Sequence, residues 1–301
     1  MSDTALTAQS QAARSARPGR RIFSSAWFGL VPFLVFAMAF LIIPTAYLAI
    51  GSLQDSSGAF TVANYTALGD QLPRSAYLAS IEISLVTAIA AAIFGFLMAY
   101  AVISGGLPKP LRTGLMTFSG VASNFAGIPL ALAFIFTLGR AGLMTTLLKG
   151  LGLDVYGNGG FSLYSKLGLE IVYFYFQFPL MILIIAPAID GLKKDWREAS
   201  ANLGASSLQF WRYIALPVLL PPLLGSTILL FGNAFGAQAT AYQLTGGLIN
   251  LVTLLIGDQL QGDVLHNVGA GYALAMGMVG IMSVTLIAYL WIQRRSERWQ
   301  Q

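Results

Sequence analysis

The sequence contains no cysteine and a single histidine among its 301 residues. Disulfides, thiolate nucleophiles and thiolate metal sites are therefore excluded. Charge is also scarce: Asp, Glu, Lys and Arg make up 10% of the chain, against about 25% in ordinary soluble domains. Apolar types supply 56% of the residues. This composition predicts an integral membrane protein.

Long stretches without charged residues allow the membrane spans to be counted. A helix rises about 1.5 Å per residue, so about 20 apolar residues cross a hydrocarbon core about 30 Å thick. The sequence therefore predicts an all-α protein with six transmembrane helices, near Trp27–Ile50, Leu78–Ile103, Leu115–Leu138, Leu167–Ile189, Leu216–Ala237 and Ala270–Trp291. A further apolar run, Leu248–Ile256, is too short to span and is predicted to be an extracytoplasmic or re-entrant helix.

The distribution of Lys and Arg predicts the orientation of these helices. When both termini, the 104–114 loop and the 190–215 loop share one side, 13 of the 17 basic residues lie on that side. The positive-inside rule assigns that side to the cytoplasm. The net charge of +5 then reflects membrane topology rather than an affinity for nucleic acid.

The chain divides into a membrane domain and two tails. Residues 1–24 are rich in Ser, Ala, Gln and Arg and cannot bury enough apolar surface to order themselves. They are predicted to form a disordered cytoplasmic tail. A transmembrane domain over 25–295 follows, and a cytoplasmic tail over 296–301 ends the chain.

The loop between the fourth and fifth predicted spans is unusually polar. Apolar residues at helical spacing on one face of its first half are Leu192, Trp196, Ala199 and Leu203. Gly204 stands where that helix would end, because Gly adopts the left-handed conformation without a steric penalty. Ser206 or Ser207 can cap a second helix, Leu208–Ala215. Pro217 suits the start of the fifth span, since it has no backbone N–H.

This loop resembles the cytoplasmic loop of the membrane-spanning permeases of binding-protein-dependent, ATP-driven importers, the type I ABC importers. Their pattern is E-A-A-x3-G-x9-I-x-L-P, and the positions that match it here are Glu198, Ala199, Gly204, Ile214, Leu216 and Pro217. Ser200 departs from the pattern, which has Ala there, but Ser is also small. The resemblance extends more loosely over about residues 25–295, through the six-span layout.

The resemblance implies a permease that forms the translocation path for a small polar solute. In that family the first helix of the loop inserts into a groove on a cytoplasmic ATPase. The residues that the resemblance assigns to coupling, within a loop over 190–216, are Glu198, Ala199, Ser200, Leu203, Gly204 and Ala205. An amphipathic helix lying on lipid is the alternative, although lipid binding needs no Gly at that spacing.

The resemblance also implies the partners and the location of the protein. It implies an ATPase dimer, a second permease that is homologous or identical, and an extracytoplasmic substrate-binding protein, in the inner membrane of a bacterium. Features around Asn250–Leu260 look most similar to the branch that handles polyamines, iron, thiamine and phosphonate.

The sequence contains no phosphate-binding motif of the kind that ATP hydrolysis requires. A phosphate-binding G-x-x-x-x-G-K-[ST] loop requires a Lys preceded by Gly, and none of the five lysines has one. The chain is therefore predicted to be a transport subunit without catalytic residues or a cofactor of its own. ATP and Mg²⁺ would bind to the partner ATPase.

Several polar residues within the spans are candidates for the substrate path. Polar groups in a bilayer are costly and tend to face the bundle interior or a cavity. The candidates are Ser119, Ser123, Asn124, Gln177, Asn233 and Gln238. Hydrogen bonding between helices is the alternative for each of them. Asn124 and Asn233 are the preferred pair, because nearby Gly residues would widen a passage.

Other ionisable residues support rival functions only weakly. An ion-gradient-driven secondary transporter would want charges at mid-membrane, but Glu82 and Glu170 lie in the first turns of their predicted helices. A membrane enzyme would lack acid–base and nucleophilic groups. His266, Asp258 and Asp263 do not form the convergent set of three or four ligands that a metal needs, so no metal site is predicted.

Overall fold

The computed structural model describes residues 26–157, 160–261 and 267–297. This part of the chain is helical and has no strand beyond one isolated bridge between Gln54 and Phe60. The predicted all-α class and the count of six spans are confirmed by six long apolar helical stretches, at Gly29–Gly51, Gln71–Ser104, Gly127–Gly150, Lys166–Asp190, Ser207–Phe235 and Val268–Arg294. The predicted N-terminal tail and most of the C-terminal tail lie outside the described residues.

The described residues form two compact units, divided between Tyr47 and Leu48. The first unit holds α1 (Ala26–Ala37), a π turn (Met38–Ile42) and the beginning of α2 (Ile43–Gly51). The π turn stands directly before Pro44, which cannot donate a backbone hydrogen bond. Ile43 N–H bonds to the Met38 carbonyl five residues earlier, so the wider turn accommodates the proline.

The second unit contains the remaining helices. In chain order they are α3 (Ala63–Thr66), α4 (Gln71–Ser104), α5 (Lys109–Asn124), α6 (Gly127–Leu138), α7 (Leu143–Gly150), α8 (Lys166–Asp190), α9 (Lys194–Asn202), α10 (Ser207–Phe210), α11 (Leu216–Phe235), α12 (Gln238–Thr245), α13 (Val252–Gln261) and α14 (Val268–Glu297). The α13 helix overlaps the short helix predicted over Leu248–Ile256, shifted toward the C-terminus.

The crossing of α4 and α8 forms the core of the second unit. At helical spacing α4 buries a stripe of small residues: Ala76, Ser80, Ser84, Ala88, Ala91, Ala92, Gly95 and Ala99. A Cβ added at Gly95 would lie 2.6 Å from Cβ of Met181 and 3.1 Å from the carbonyl oxygen of Phe178, both on α8. Small residues let the two helix backbones approach closely. The α5 and α11 helices pack against this pair.

The predicted third span is interrupted. The chain leaves the helix after Asn124 and resumes it at Gly127, whose φ is +72°. The prediction of one helix over Leu115–Leu138 is therefore wrong, because hydropathy is insensitive to a local change of backbone conformation. Thr240 of α12 holds the break: Gly127 N–H donates to its Oγ1 (3.0 Å), and the hydroxyl donates to the Gly127 carbonyl (3.3 Å).

Candidate coupling site

The loop after α8 begins with a short helix that ends at Gly204. Gly204 has a left-handed φ of +79° and follows Leu203, the C-cap residue of α9. Its N–H donates to the Ala201 carbonyl (2.9 Å), and Ala205 N–H donates to the Ser200 carbonyl (2.9 Å). These two bonds define a Schellman ending. The predicted helix stop at Gly204 is confirmed.

A capping box starts the next helix. The Ser206 hydroxyl accepts from Gln209 N–H (3.3 Å), and the Gln209 side-chain oxygen accepts from Ser206 N–H (2.7 Å). Each side chain thus satisfies a backbone donor that the first turn leaves free. Of the two predicted caps, Ser206 is the one used, and the reciprocal role of Gln209 was not predicted.

A π turn, Trp211–Ala215, joins α10 to α11 without a break. Leu216 N–H bonds to the Trp211 carbonyl, and the wide turn stands directly before Pro217, as the first π turn stands before its proline. The prediction of a second helix separate from the fifth span is therefore wrong. The Trp211 ring packs edge-to-face on Tyr100 of α4, with centroids 5.0 Å apart. The loop is thus tied to both α11 and α4.

An open groove of about 900 Å³ runs beside α9. It is lined by Trp196, Ala199, Ser200, Leu203, Gly204, Ala205, Gln209, Phe210, Tyr213, Ile214, Pro217 and Val218. Leu203 is 88% exposed and Tyr213 is 69% exposed. Leu208 is 78% exposed on the same loop but is not part of the groove lining. Exposed apolar side chains around a concave surface are typical of an interaction site. Part of this lining, including Tyr213, belongs to the fifth apolar helical stretch.

The structure brings five of the six predicted coupling residues together around this groove. Ala199, Leu203, Gly204 and Ala205 line it together with Ser200. Glu198 is exposed on α9 outside the groove lining and forms no ion pair with any described residue.

Ser200, the position that departs from the family pattern, faces inward. It is 7% exposed, and its hydroxyl donates to the Arg197 carbonyl at 2.8 Å. That bond lies within α9 itself, so an alanine there would leave the contacts of α9 with the rest of the loop in place.

The predicted substrate-path residues do not form one cluster. Asn124 ends α5, and its Nδ2 donates to the Gly120 carbonyl (2.8 Å), to which the Ser123 hydroxyl also donates (3.1 Å). Asn233 on α11 and Gln238 at the start of α12 are exposed. Within the described ranges, no hydrogen bond links Asn124 to Asn233. The assignment of these residues to a substrate path stays a prediction.

Gln177 lies at the contact of α8 with α4. Its side chain is 0% exposed, and its Nε2 donates to Thr87 Oγ1 at 2.8 Å. Its Oε1 has no hydrogen-bond partner in the described part of the chain. The geometry is that of a polar contact between helices, which is the alternative to a path role.

Replacing Thr87 by valine tests that alternative. We expect Thr87→Val to lower the free energy of unfolding by about 1 kcal/mol, because the buried Gln177 amide loses its acceptor. Gln177→Met removes the amide altogether and should leave stability close to native. Thermal unfolding of the purified protein measures both. If Gln177→Met abolishes transport while stability is unchanged, Gln177 belongs to the path instead.

Two breaks between consecutive helices lie next to α12: the break between α5 and α6 and the break between α11 and α12. The residues that hold these breaks in place were not predicted from the sequence. Thr240 holds the break between α5 and α6, and the Tyr173 hydroxyl donates to the Ala237 carbonyl, where α11 gives way to α12. Gly127 and Gly236 were the available signals, since Gly within an apolar run marks a place where the helix can stop.

The remaining ionisable residues are dispersed. Lys166 at the start of α8 forms an ion pair with Glu82 of α4. Among the described residues no group of three His, Cys, Asp or Glu side chains could hold a metal. His266 and Asp263 lie outside the described residues, and Asp258 is exposed on α13.

Comparison with known proteins adds a family and a set of relatives. The family described as the binding-protein-dependent transport system inner membrane component matches residues 92–298. A probable sulfate transport system permease protein from Nephroselmis olivacea is 23% identical over 231 residues, covering 76% of this chain and 75% of that protein. A spermidine/putrescine transport system permease protein from Escherichia coli (strain K12) is 26% identical over 263 residues, covering 87% and 93%.

The fold is also similar to that of a solved transporter. A bacterial ABC transporter involved in the import of the acidic polysaccharide alginate superposes with a TM-score of 0.66 at 16% identity, covering 91% of this chain and 95% of that one. At that level of identity the likeness concerns the fold.

Proposed function

This chain belongs to the family of binding-protein-dependent transport system inner membrane components, and from that premise we propose that α9 and the adjoining groove dock a separate ATPase. The chain is a transmembrane permease subunit of an ABC importer, with several membrane spans. The ion-gradient-driven alternative finds no support in the family or the relatives.

The proposed orientation places α9 and both termini in the cytoplasm. It is supported by the 13 of 17 basic residues that this arrangement puts on one side. ATP and Mg²⁺ then bind to an ATPase dimer on that side. A second permease, homologous or identical, and an extracytoplasmic binding protein complete the importer. The solute is a small polar molecule, and the path residues proposed for it are Ser123, Asn124, Asn233 and Gln238. Gln177 joins them only if Gln177→Met abolishes transport at native stability, because its side chain is buried against Thr87.

One observation carries the docking proposal: the open groove beside α9, with Leu203 88% exposed at its edge. Removing apolar surface from water is favourable by about 25 cal/mol per Å², and this gain offsets part of the entropy and desolvation costs of association. A partner that covers Leu203 therefore obtains a favourable contribution from this side chain. Ala199 has a small side chain, which allows the partner's backbone to approach α9. Glu198, exposed and without an ion pair among the described residues, is available to a cationic group of the partner.

The same geometry suggests how movement of the ATPase reaches the membrane. The α10 helix continues through the π turn into α11, and Trp211 contacts Tyr100 of α4. A displacement of α9 would therefore be passed to the fifth span by a continuous helix and to α4 by the aromatic contact. Alternation of access would follow from the movement of these spans.

The docking proposal is tested by a charge placed on the groove. We expect Leu203→Asp to reduce co-purification of the ATPase about tenfold or more, because a buried apolar contact is replaced by an unpaired carboxylate. Leu208→Asp is the matched control: Leu208 is also an exposed leucine on this loop but lies outside the groove lining. Equal retention of the ATPase by the native protein and the Leu203 variant would refute docking at this groove.

A further inference from the structure

A second cavity, of about 460 Å³, lies against a different face of α9. We call it the basic cavity. It is bounded by the C-terminal ends of α4 and α8, the start of α5, and α9 with the following helix. Its α9 residues are Lys194 and Arg197, preceded by Lys193, whereas the groove takes Trp196, Ala199, Ser200 and Leu203. The two cavities therefore use separate sides of the helix.

The basic cavity carries an unbalanced positive charge. Its charged lining residues are Arg112, Asp190, Lys193, Lys194 and Arg197. Nη2 of Arg112 donates to both carboxylate oxygens of Asp190, at 2.8 and 2.7 Å, so these two charges compensate each other. The other three cations form no ion pair with any carboxylate among the described residues. Lys193 Nζ lies 6.0 Å from the centroid of the Trp196 ring, a cation–π contact that leaves its charge without a carboxylate partner. Three positive charges without a carboxylate partner thus line one cavity.

The start of α9 adds to this imbalance. Lys193 is its N-cap residue and Lys194 its first residue, and no side chain caps the free backbone N–H groups. Cations at a helix N-terminus are repelled by the positive end of the helix dipole. Asp195 in the first turn offsets part of this effect. An anion in the basic cavity would compensate both the positive charge of the side chains and the partial positive charge of the helix N-terminus.

The cavity also has an apolar wall. Tyr100, Ile103 and Trp211 line it from membrane-spanning helices, and Leu192 lines it from the loop that follows the fourth span. A cavity that joins cations to apolar side chains at a membrane boundary matches a phospholipid, whose phosphate is anionic and whose glycerol and acyl part is apolar.

We propose that the basic cavity binds a phosphate group, supplied by the headgroup of an anionic phospholipid. Lys193, Lys194 and Arg197 contact the phosphate, and the apolar wall accommodates the glycerol end of the acyl chains. A headgroup held there bridges α9 to α4 and α8. The basic cavity and the groove share only Phe210 among their lining residues, and lipid binding can be measured on the permease without the ATPase. Free inorganic phosphate is the other source of the same chemistry.

The experiment uses the purified, delipidated full-length chain in detergent, and follows thermal unfolding during titration with phosphatidylglycerol, phosphatidylcholine or inorganic phosphate. We expect phosphatidylglycerol to raise the unfolding temperature of the native protein and phosphatidylcholine to have little effect. In Lys193→Gln/Lys194→Gln/Arg197→Gln, the half-saturating phosphatidylglycerol concentration should rise about a hundredfold, since each Lys or Arg near an anionic surface contributes a step of about fivefold.

Two controls separate the site from general charge effects. Lys193→Arg/Lys194→Arg/Arg197→Lys retains the charges and should bind as the native protein does. Arg212→Gln removes one cation from the same end of the unit but outside the basic cavity, where Arg212 lies over the Tyr213 ring, and it should also bind normally. Native-like binding by the glutamine variant, or an equal loss in Arg212→Gln, would overturn the proposal. A full shift with inorganic phosphate alone would overturn the lipid as the source.

Discussion

Replacing Gly204 by valine is expected to lower the ATP hydrolysis of the assembled importer about tenfold, while the permease remains folded in the membrane. Gly204 has a φ of +79°. A β-branched residue in that conformation costs about 1 to 3 kcal/mol, so the turn after α9 would relax to another geometry. The Schellman bonds of Gly204 and Ala205 would be lost, and with them the position of Leu203 at the groove. The measurement is ATP hydrolysis by the permease reconstituted with the ATPase that is proposed to dock on α9.

Two matched variants make that result interpretable. Gly204→Asn should retain most of the activity, because Asn tolerates the left-handed conformation better than other side chains. Gly152→Val introduces the same strain elsewhere: Gly152 has a φ of +86°, and neither glycine has an atom within 4 Å of an added Cβ. We expect Gly152→Val to cost stability without loss of coupling. An equal loss of hydrolysis in both valine variants would show that strain alone, and not the turn at α9, is responsible.

Replacing Gly95 by leucine is expected to prevent the second unit from packing. A Cβ at this position would lie 2.6 Å from Met181 Cβ and 3.1 Å from the Phe178 carbonyl oxygen. The carbonyl belongs to the α8 backbone and cannot rotate away, so α4 and α8 must separate. Overpacking usually costs about 1 to 3 kcal/mol and sometimes more, and this crossing carries the core. The expected result is a much lower yield of monodisperse protein and a lower unfolding temperature.

A graded series and a control sharpen this prediction. Gly95→Ala should have a smaller effect in the same direction, because it adds only the Cβ. Gly280→Leu on α14 is the control, since no atom lies within 4 Å of a Cβ added there. It should unfold at close to the native temperature in size-exclusion melting experiments. Normal yield and stability of Gly95→Leu would mean that α4 and α8 do not approach each other as described.

The turn after α9 and the cap of the next helix could be predicted from the sequence because their signals are local. Gly204 ends α9 in the structure because of its own backbone freedom, and Ser206 caps the next helix through a residue three positions away. Hydropathy likewise depends only on neighbouring residues, which explains why the number of spans was predicted correctly. Of the predicted helical face, Trp196, Ala199 and Leu203 line the groove, as expected. Leu192 does not belong to this face, because it precedes α9 and lines the basic cavity instead.

The predictions that failed concern changes of backbone conformation within apolar runs: one break in a helix and one π turn. The break after Asn124 and the continuity of α10 with α11 leave the composition of the runs unchanged, so hydropathy cannot register them. The break is held by Thr240, which lies 113 residues from Gly127. The π turn before Pro217 replaces an expected helix end, because a wider turn accommodates a proline that an α-turn would not.

Local chemistry thus set the helix count, the stop at Gly204 and the capped start at Ser206, since each depends on residues within a few positions of one another. Which residues face a neighbour depended on contacts between distant segments. Gly95 meets Met181 across α4 and α8, and Ser200 is buried while Leu203 is exposed. The basic cavity exists because Arg112 and α9 are brought to the same end of those helices. Packing between helices depends on the shapes of side chains that are far apart in the sequence and on the distance between their backbones. No short stretch of the chain determines either of them.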